Sequence, residues 1–282
     1  MVWFVDLRMD PIGGEPTDQP RLLWDGLPTN IAMFVEQVRE RDVLFGIHGF
    51  NVDRKDGLAR LTGWSGSLSL PENAVFIGVL WPGDGRYVPV LDYPLEDKIA
   101  HRCGRLLADF ADDRLRFVSS LSFVSHSLGA RVALEAIRCL GDHHVVRRAV
   151  LMAGAINADC LTNEYVKTIA AVGQVGVLAS DSDSVLSMAF PIGNLAAGIV
   201  TEGHPWFSRA LGLKGPTGVA PTNVRRTWQI PDLWDYGHGS YLPRGASANA
   251  APCPVPYTKP FPPESSPAPT GDKDFWQFRW SA

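Results

Sequence analysis

Apolar runs of strand length alternate along the chain with longer segments whose apolar positions recur at helical spacing. The runs Val2–Leu7, Val43–His48, Ala74–Trp81, Arg116–Ser125, Val146–Met152, Gly176–Ser180 and Asn223–Gln229 predict strands, and their Val, Ile, Leu and Phe density suits strands buried on both faces. Asn30–Arg41, Leu95–Asp113, Leu128–Leu140 and Ala158–Val172 predict helices. In the third helix Leu128, Val132, Leu134, Ala136 and Ile137 form a broad apolar face, which leaves Arg131, Glu135 and Arg138 mostly outside it. Such alternation predicts an α/β fold, a mostly parallel central sheet flanked by helices on both faces.

The pattern breaks near Pro243. Residues 1–242 read as one domain, and residues 243–282 as a Pro-, Ala- and Ser-rich tail, a composition that disfavours helix and ladder alike. The tail ends in the aromatic DFWQFRWSA, so it is expected to dock through Phe275, Trp276 and Trp280, on the domain or on a second copy as a homo-oligomer contact. Across 282 residues, 45% hydrophobic, the chain can bury a large core. Its net charge of −4, with scattered basic residues, gives no electrostatic footprint for nucleic acid or an anionic membrane surface. No run reaches bilayer-spanning length, and MVWFVDLRMD reads as a first strand rather than a signal peptide. Cys103, Cys139, Cys160 and Cys253 form no CxxC pair, which argues against a zinc site and a disulfide scaffold. A cytoplasmic protein is expected, with export without a signal peptide left open.

The chemistry begins at LSFVSHSLGARVALEAI, residues 121–137, where an apolar strand turns at once into an amphipathic helix. A strand–nucleophile–helix corner holds its middle residue in a strained conformation above the sheet, and the positions two before and two after it must be small. Here the middle residue is Ser127, flanked by Ser125 and Gly129; Ser125 departs from the usual first glycine but stays small. A serine hydroxyl needs a base held by a carboxylate, and on this architecture both follow the serine on loops after later strands, acid first.

The strand VGVLAS runs into Asp181, Ser182 and Asp183. Asp183 is the preferred acid, because a short loop must carry the carboxylate away from the strand end; Asp181 is the alternative and would more naturally cap the next turn. After NVRRTWQI comes PDLWDYGHGSYL, which supplies His238 as the base, its flanking glycines letting the loop return over the sheet. His126 is adjacent to Ser127 in sequence, but neighbouring side chains at a strand end point apart, so it reads as a packed or hydrogen-bonded neighbour beneath the corner. His101, His143, His144 and His204 read as surface or loop residues, and no metal site is expected.

Two donors are required for a developing oxyanion. One is expected from the backbone N–H of Leu128, at a helix start whose dipole assists. The other is expected from Phe50 in VLFGIHGFNVD, with Gly49 allowing a tight turn and His48 bracing the loop.

With these pieces assembled the sequence resembles the α/β-hydrolase superfamily over Val2 to Leu242. It is similar in particular to a bacterial group of α/β-hydrolases with esterase- and lipase-like members, through HGFN at 48–51, Trp81-Pro82, a Tyr/Asp segment near Tyr87–Tyr93 and HSLG at 126–129. That group carries a Ser-x-x-Asp stretch, matched at Ser180–Asp183, and a His-x-Ser-Tyr stretch, matched at His238–Tyr241. The resemblance implies this fold and hydrolytic chemistry, and little about substrate.

The resulting expectation is a serine hydrolase with no cofactor, acting on a small-molecule ester with an apolar acyl group, and losing activity as His238 gains a proton below neutral pH. Phe50, Trp81, Tyr87, Trp206 and Trp234, with the stretch MAFPIGNLAAGIV, are candidates to line an acyl pocket or form a lid, and equally candidates for the core. The alternatives are a thioesterase, acyltransferase or peptidase using the same triad, and a binding module on a hydrolase fold.

Overall fold

The apolar runs of the sequence lie side by side in a single sheet. The computed structural model describes residues 1–12, 14–68, 70–84, 93–189, 209–232 and 236–242. Among the described residues nine strands form the sheet: β1 (Trp3–Arg8), β2 (Pro16–Trp24), β3 (Leu27–Pro28), β4 (Asp42–Ile47), β5 (Ala74–Leu80), β6 (Ser120–His126), β7 (Val146–Met152), β8 (Gln174–Ala179) and β9 (Trp228–Gln229). Their order is β3-β2-β1-β5-β4-β6-β7-β8-β9. From β1 across to β9 every pairing is parallel, and β2 alone runs against the rest, pairing antiparallel with β1 on one side and β3 on the other. All residues of β1, β4 and β6 are buried, as strands covered on both faces must be.

The flanking helices are α1 (Ile31–Val38), α2 (Arg54–Ser67), α3 (Tyr93–Arg114), α4 (Gly129–Cys139), α5 (Val166–Ala170) and α6 (Leu211–Lys214). The expected α/β layering is present, and helix α4, which packs against α3 as well as against β4, β6 and β7, forms its centre. It is covered beyond its apolar face as well, so charged residues are buried on it too. Glu135 is fully buried and Arg131 nearly so. Each is paired, because an unpaired charge at such depth costs several kcal/mol, on the order of the penalty for a buried ion. Arg138 and Arg105 reach Glu135, and Arg131 reaches Glu164 at 2.6 Å. Burial alone would raise the Glu135 carboxyl, but the bonds from Arg138 and Arg105 outweigh it and hold the group below its ordinary range.

Helix α2 and strand β2 are not anticipated by the hydrophobic pattern. The sequence of α2, RKDGLARLTGWSGS, is glycine-rich and polar, yet Leu61 and Trp64 are fully buried and Trp64 meets Phe76 edge-on. Burying a tryptophan is worth about 3–5 kcal/mol, enough to override weak propensity. Asp53 caps the helix, accepting from the Asp56 N–H at 2.7 Å. Strand β2, PTDQPRLLW, keeps its prolines where it lies largely at the sheet edge, where a missing donor costs little.

Three predicted elements are shorter than expected. Strand β6 starts at Ser120 rather than Arg116, since Phe117 and Ser119 bond to the backbone of Glu40 and Arg41 instead. The predicted helix over 158–172 is reduced to α5, because Ala158 and Thr162 are drawn to Arg209 and Thr217. Of the predicted strand Asn223–Gln229 only Trp228–Gln229 pairs fully, with an isolated bridge at Val224. No described helix is long and apolar enough to cross a membrane. The tail from 243 onward lies outside the described residues.

Candidate active site

The parallel strands β4, β6 and β8 end at one edge of the sheet, and the chemistry-bearing residues gather on the loops there. Ser127 follows β6 directly and has a backbone φ of 55°, in the left-handed region that a side chain normally avoids. Such a conformation costs roughly 1–3 kcal/mol and must be held by its surroundings. The Ser127 N–H donates to Met152 O at 2.9 Å, and its carbonyl accepts from Ala130 at 3.1 Å as α4 begins. The backbones crowd here. A Cβ on Gly129 would sit 2.4 Å from the His48 carbonyl oxygen, and one on Gly49 would sit 2.8 Å from both Ser127 Cβ and His126 Nδ1. Glycine is therefore required at both positions by close approach.

Asp183, His238 and Ser127 form a continuous hydrogen-bonded chain. His238 Nδ1 is 2.7 Å from Asp183 Oδ2, and its Nε2 is 2.8 Å from Ser127 Oγ. With the ring proton on Nδ1 donated to the carboxylate, Nε2 is an acceptor for the serine hydroxyl. Asp183 is fully buried, and its second oxygen accepts from the Leu186 N–H at 3.0 Å, so both oxygens are fixed. Asp181 is exposed and lies 3.5 Å from Lys214 Nζ, and it is Asp183, not Asp181, that caps the turn over Val185–Ala189. The glycines beside His238 turn out to be dispensable to the backbone. His238–Tyr241 is a 3-10 turn with ordinary negative φ at Gly237, and a Cβ at Gly237 or Gly239 would meet no described atom.

His126 is the packed, hydrogen-bonded neighbour expected beside the corner. Its ring is buried, and Nε2 donates to the His238 carbonyl oxygen at 2.8 Å, which ties the turn carrying His238 to the end of β6. The two rings lie 4.9 Å apart. Burial, then the neighbouring His238, push the His126 pKa down to about 3, so the ring is neutral at ordinary pH. Ser180 performs a similar service on the other side, donating to the Tyr236 carbonyl at 2.8 Å.

The loop after β4 lies against the serine from the opposite side. His48 is fully buried, with Nδ1 2.8 Å from Gly49 O and Nε2 accepting from the Trp81 N–H at 3.3 Å. The Trp81 indole returns a bond to His48 O at 2.8 Å and stacks on the imidazole. Burial lowers the His48 pKa to about 3. Trp81 is thus wholly buried behind this loop and belongs to the core, one of the two alternatives its sequence position left open. Phe50 is only partly buried, and among the described residues no acceptor takes up the N–H of Phe50 or of Leu128.

A buried arginine anchors the segments that follow β4 and β5. Arg8, at the end of β1, donates to Val52 O at 3.2 Å and Trp81 O at 2.8 Å and pairs with Asp84. Asp6, also buried, receives Arg21 and Arg54. The signal was available in the sequence as Asp6 and Arg8 inside an otherwise apolar first strand.

Tyr87, Trp206, Trp234 and most of the stretch MAFPIGNLAAGIV lie outside the described residues. Among the described residues, one group could hold a metal ion, Asp112 with His143 and His144, and it lies away from this site.

Residues 25–200 match a family described as alpha/beta hydrolase of unknown function (DUF900). No curated protein is a significant match. Among solved structures, the chain is 15% identical to the phospholipase PlaB from Legionella pneumophila in complex with thio-NAD, covering 50% of this chain and 37% of that one, with a TM-score of 0.29. It thus spans well under half of the phospholipase's length. A predicted CIB-like hydrolase from Thermoplasma acidophilum is 12% identical over 79% of this chain and 83% of that one, with a TM-score of 0.40. A thermophilic esterase from Thermogutta terrifontis is 10% identical over 72% and 74%, with a TM-score of 0.34.

Proposed function

The chain belongs to the α/β-hydrolase family DUF900, and from that premise we propose that it is a serine hydrolase cleaving carboxylic esters through Ser127, His238 and Asp183. The observation that carries the reading is the unbroken contact series from carboxylate to imidazole to hydroxyl, at 2.7 and 2.8 Å. Ser127 Oγ attacks the ester carbonyl while His238 Nε2 takes its proton; the carbonyl π electrons move onto oxygen. The N–H groups of Leu128 and Phe50 receive that oxyanion, at the N-terminus of α4, whose dipole favours negative charge. Collapse breaks the C–O bond, and His238 returns the proton to the leaving alcohol. Water, deprotonated by the same imidazole, then releases the acid and restores Ser127. Asp183 holds the ring in the required tautomer and stabilises it when charged.

The test is hydrolysis of p-nitrophenyl esters of graded acyl length by the wild type and Ser127→Ala. The variant should lose at least about 10⁴-fold in kcat/KM, with what remains reflecting binding and the oxyanion donors alone. A Ser127→Ala protein as active as the wild type overturns the proposal.

A further inference from the structure

His143 and His144 take no part in the chemistry above. They sit in the turn between α4 and β7, at the amino-terminal edge of the sheet, facing Asp112 near the end of α3. Strand β6 has seven residues, so this edge is roughly 20 Å from Ser127. Ligand atoms of all three side chains lie within 4.8 Å of one another. Asp112 Oδ1 is 3.1 Å from His144 Nε2 and 3.8 Å from His143 Nε2.

The informative member is His144. Its side chain is 3% exposed, and Nε2 has no hydrogen-bond partner even though a carboxylate oxygen lies 3.1 Å away. Nε2 thus points into the group with the Asp112 carboxylate oxygen beside it. Two ligand atoms, each about 2.0–2.2 Å from one tetrahedral ion, lie roughly 3.3 Å apart, close to the spacing found here.

The remaining contacts orient the group as supporting contacts orient metal ligands. The Gly141 N–H donates to both oxygens of Asp112, at 3.1 and 3.2 Å. Such a bond restricts how the carboxylate can turn. His143 and Asp112 are about one-third exposed, so an ion can reach them from solvent.

We propose that Asp112, His143 and His144 bind one divalent transition-metal ion, zinc by ligand type, clipping the end of α3 to the α4–β7 turn. Two imidazoles and one carboxylate suit zinc and its neighbours in the first transition row; magnesium and calcium favour all-oxygen sites. Three protein ligands leave a position for water.

The experiment uses the full chain without a histidine tag, stripped with chelator. Zinc is titrated calorimetrically, cobalt by visible absorption, and the thermal midpoint is followed with each. The expected result is one zinc per chain, a midpoint raised by several degrees at saturating zinc, and no response to magnesium. Asp112→Asn and His143→Ala, both at partly exposed positions, should each weaken zinc at least 10-fold and remove the midpoint shift while ester hydrolysis persists. Absence of wild-type binding below 100 µM, about the weakest affinity of interest for such a site, or unchanged affinity in both variants, overturns the proposal. Zinc binding at the triad instead would survive both variants, so the two sites are separable.

Discussion

At each edge of the sheet a pair of neighbouring histidine rings has an aspartate beside one of them, and the two groups are arranged for different chemistry. At the carboxyl edge, His238 gives its Nδ1 proton to Asp183 and presents Nε2 to Ser127, while His126 spends its Nε2 proton on the His238 carbonyl. At the amino edge the Asp112 carboxylate lies beside a buried nitrogen of His144 that finds no hydrogen-bond partner. Residue inventory does not distinguish the two. What distinguishes them is what the ring nitrogens meet: a hydroxyl, a carboxylate and a backbone carbonyl at one edge, and a carboxylate with no completed hydrogen bond at the other.

The most forceful way to break the comparison is to change the carboxylate at the catalytic edge. Asp183→Asn should lower kcat by about 10⁴-fold with little change in KM, since an amide cannot hold the Nδ1–H tautomer. Asp181→Asn should leave kcat within about two-fold, because its partner is Lys214. A larger effect at Asp181 than at Asp183 would reverse the assignment. Steady-state kinetics on a p-nitrophenyl ester decides between them.

A smaller effect sharpens the role of the second histidine. His126 and His48 have folded pKa values of about 3, well below the 6.5 of an exposed imidazole. The unfolded chain therefore binds more protons between those values, and unfolding is favoured as pH falls from about 6.5 towards 3, with no further contribution below that. Each ring contributes on the order of a few kcal/mol to this acid sensitivity. His126→Asn keeps a donor but cannot titrate, so thermal midpoints recorded from pH 7 to 4 should fall less steeply than in the wild type. In the same variant kcat should drop about ten-fold and KM stay constant, as the base-bearing turn loses its fixed position. An unchanged acid slope would show that His126 titrates normally.

The serine corner and the elements around it were legible because local pattern and tertiary role agree there. An apolar strand, small residues and an amphipathic helix are dictated by the same close crossing that places the His48 carbonyl 2.4 Å from a would-be Gly129 Cβ. The alternation of β4, β5, β6 and β7 was legible for the same reason, each being buried along nearly its whole length. Helix α2 was not, because its stability comes from Leu61 and Trp64 meeting the sheet rather than from its own glycine-rich sequence. The burial of Arg131 and Glu135 was not legible either, since helical periodicity reports one apolar face and cannot register that Arg105 of α3 and Glu164, just before α5, cover the rest of α4 with matching charges. Arg8, His126 and Asp112 act through partners 44 or more, 112, and about 30 residues away, distances over which sequence pattern carries no signal.

The central claim, an activated serine at the corner after β6, is tested most directly by reacting the purified chain with a fluorophosphonate and locating the adduct by mass spectrometry. The account predicts a single phosphonylated residue, Ser127, with labelling lost in Ser127→Ala and His238→Ala. A folded protein that takes no label, or one labelled equally in His238→Ala, would contradict it.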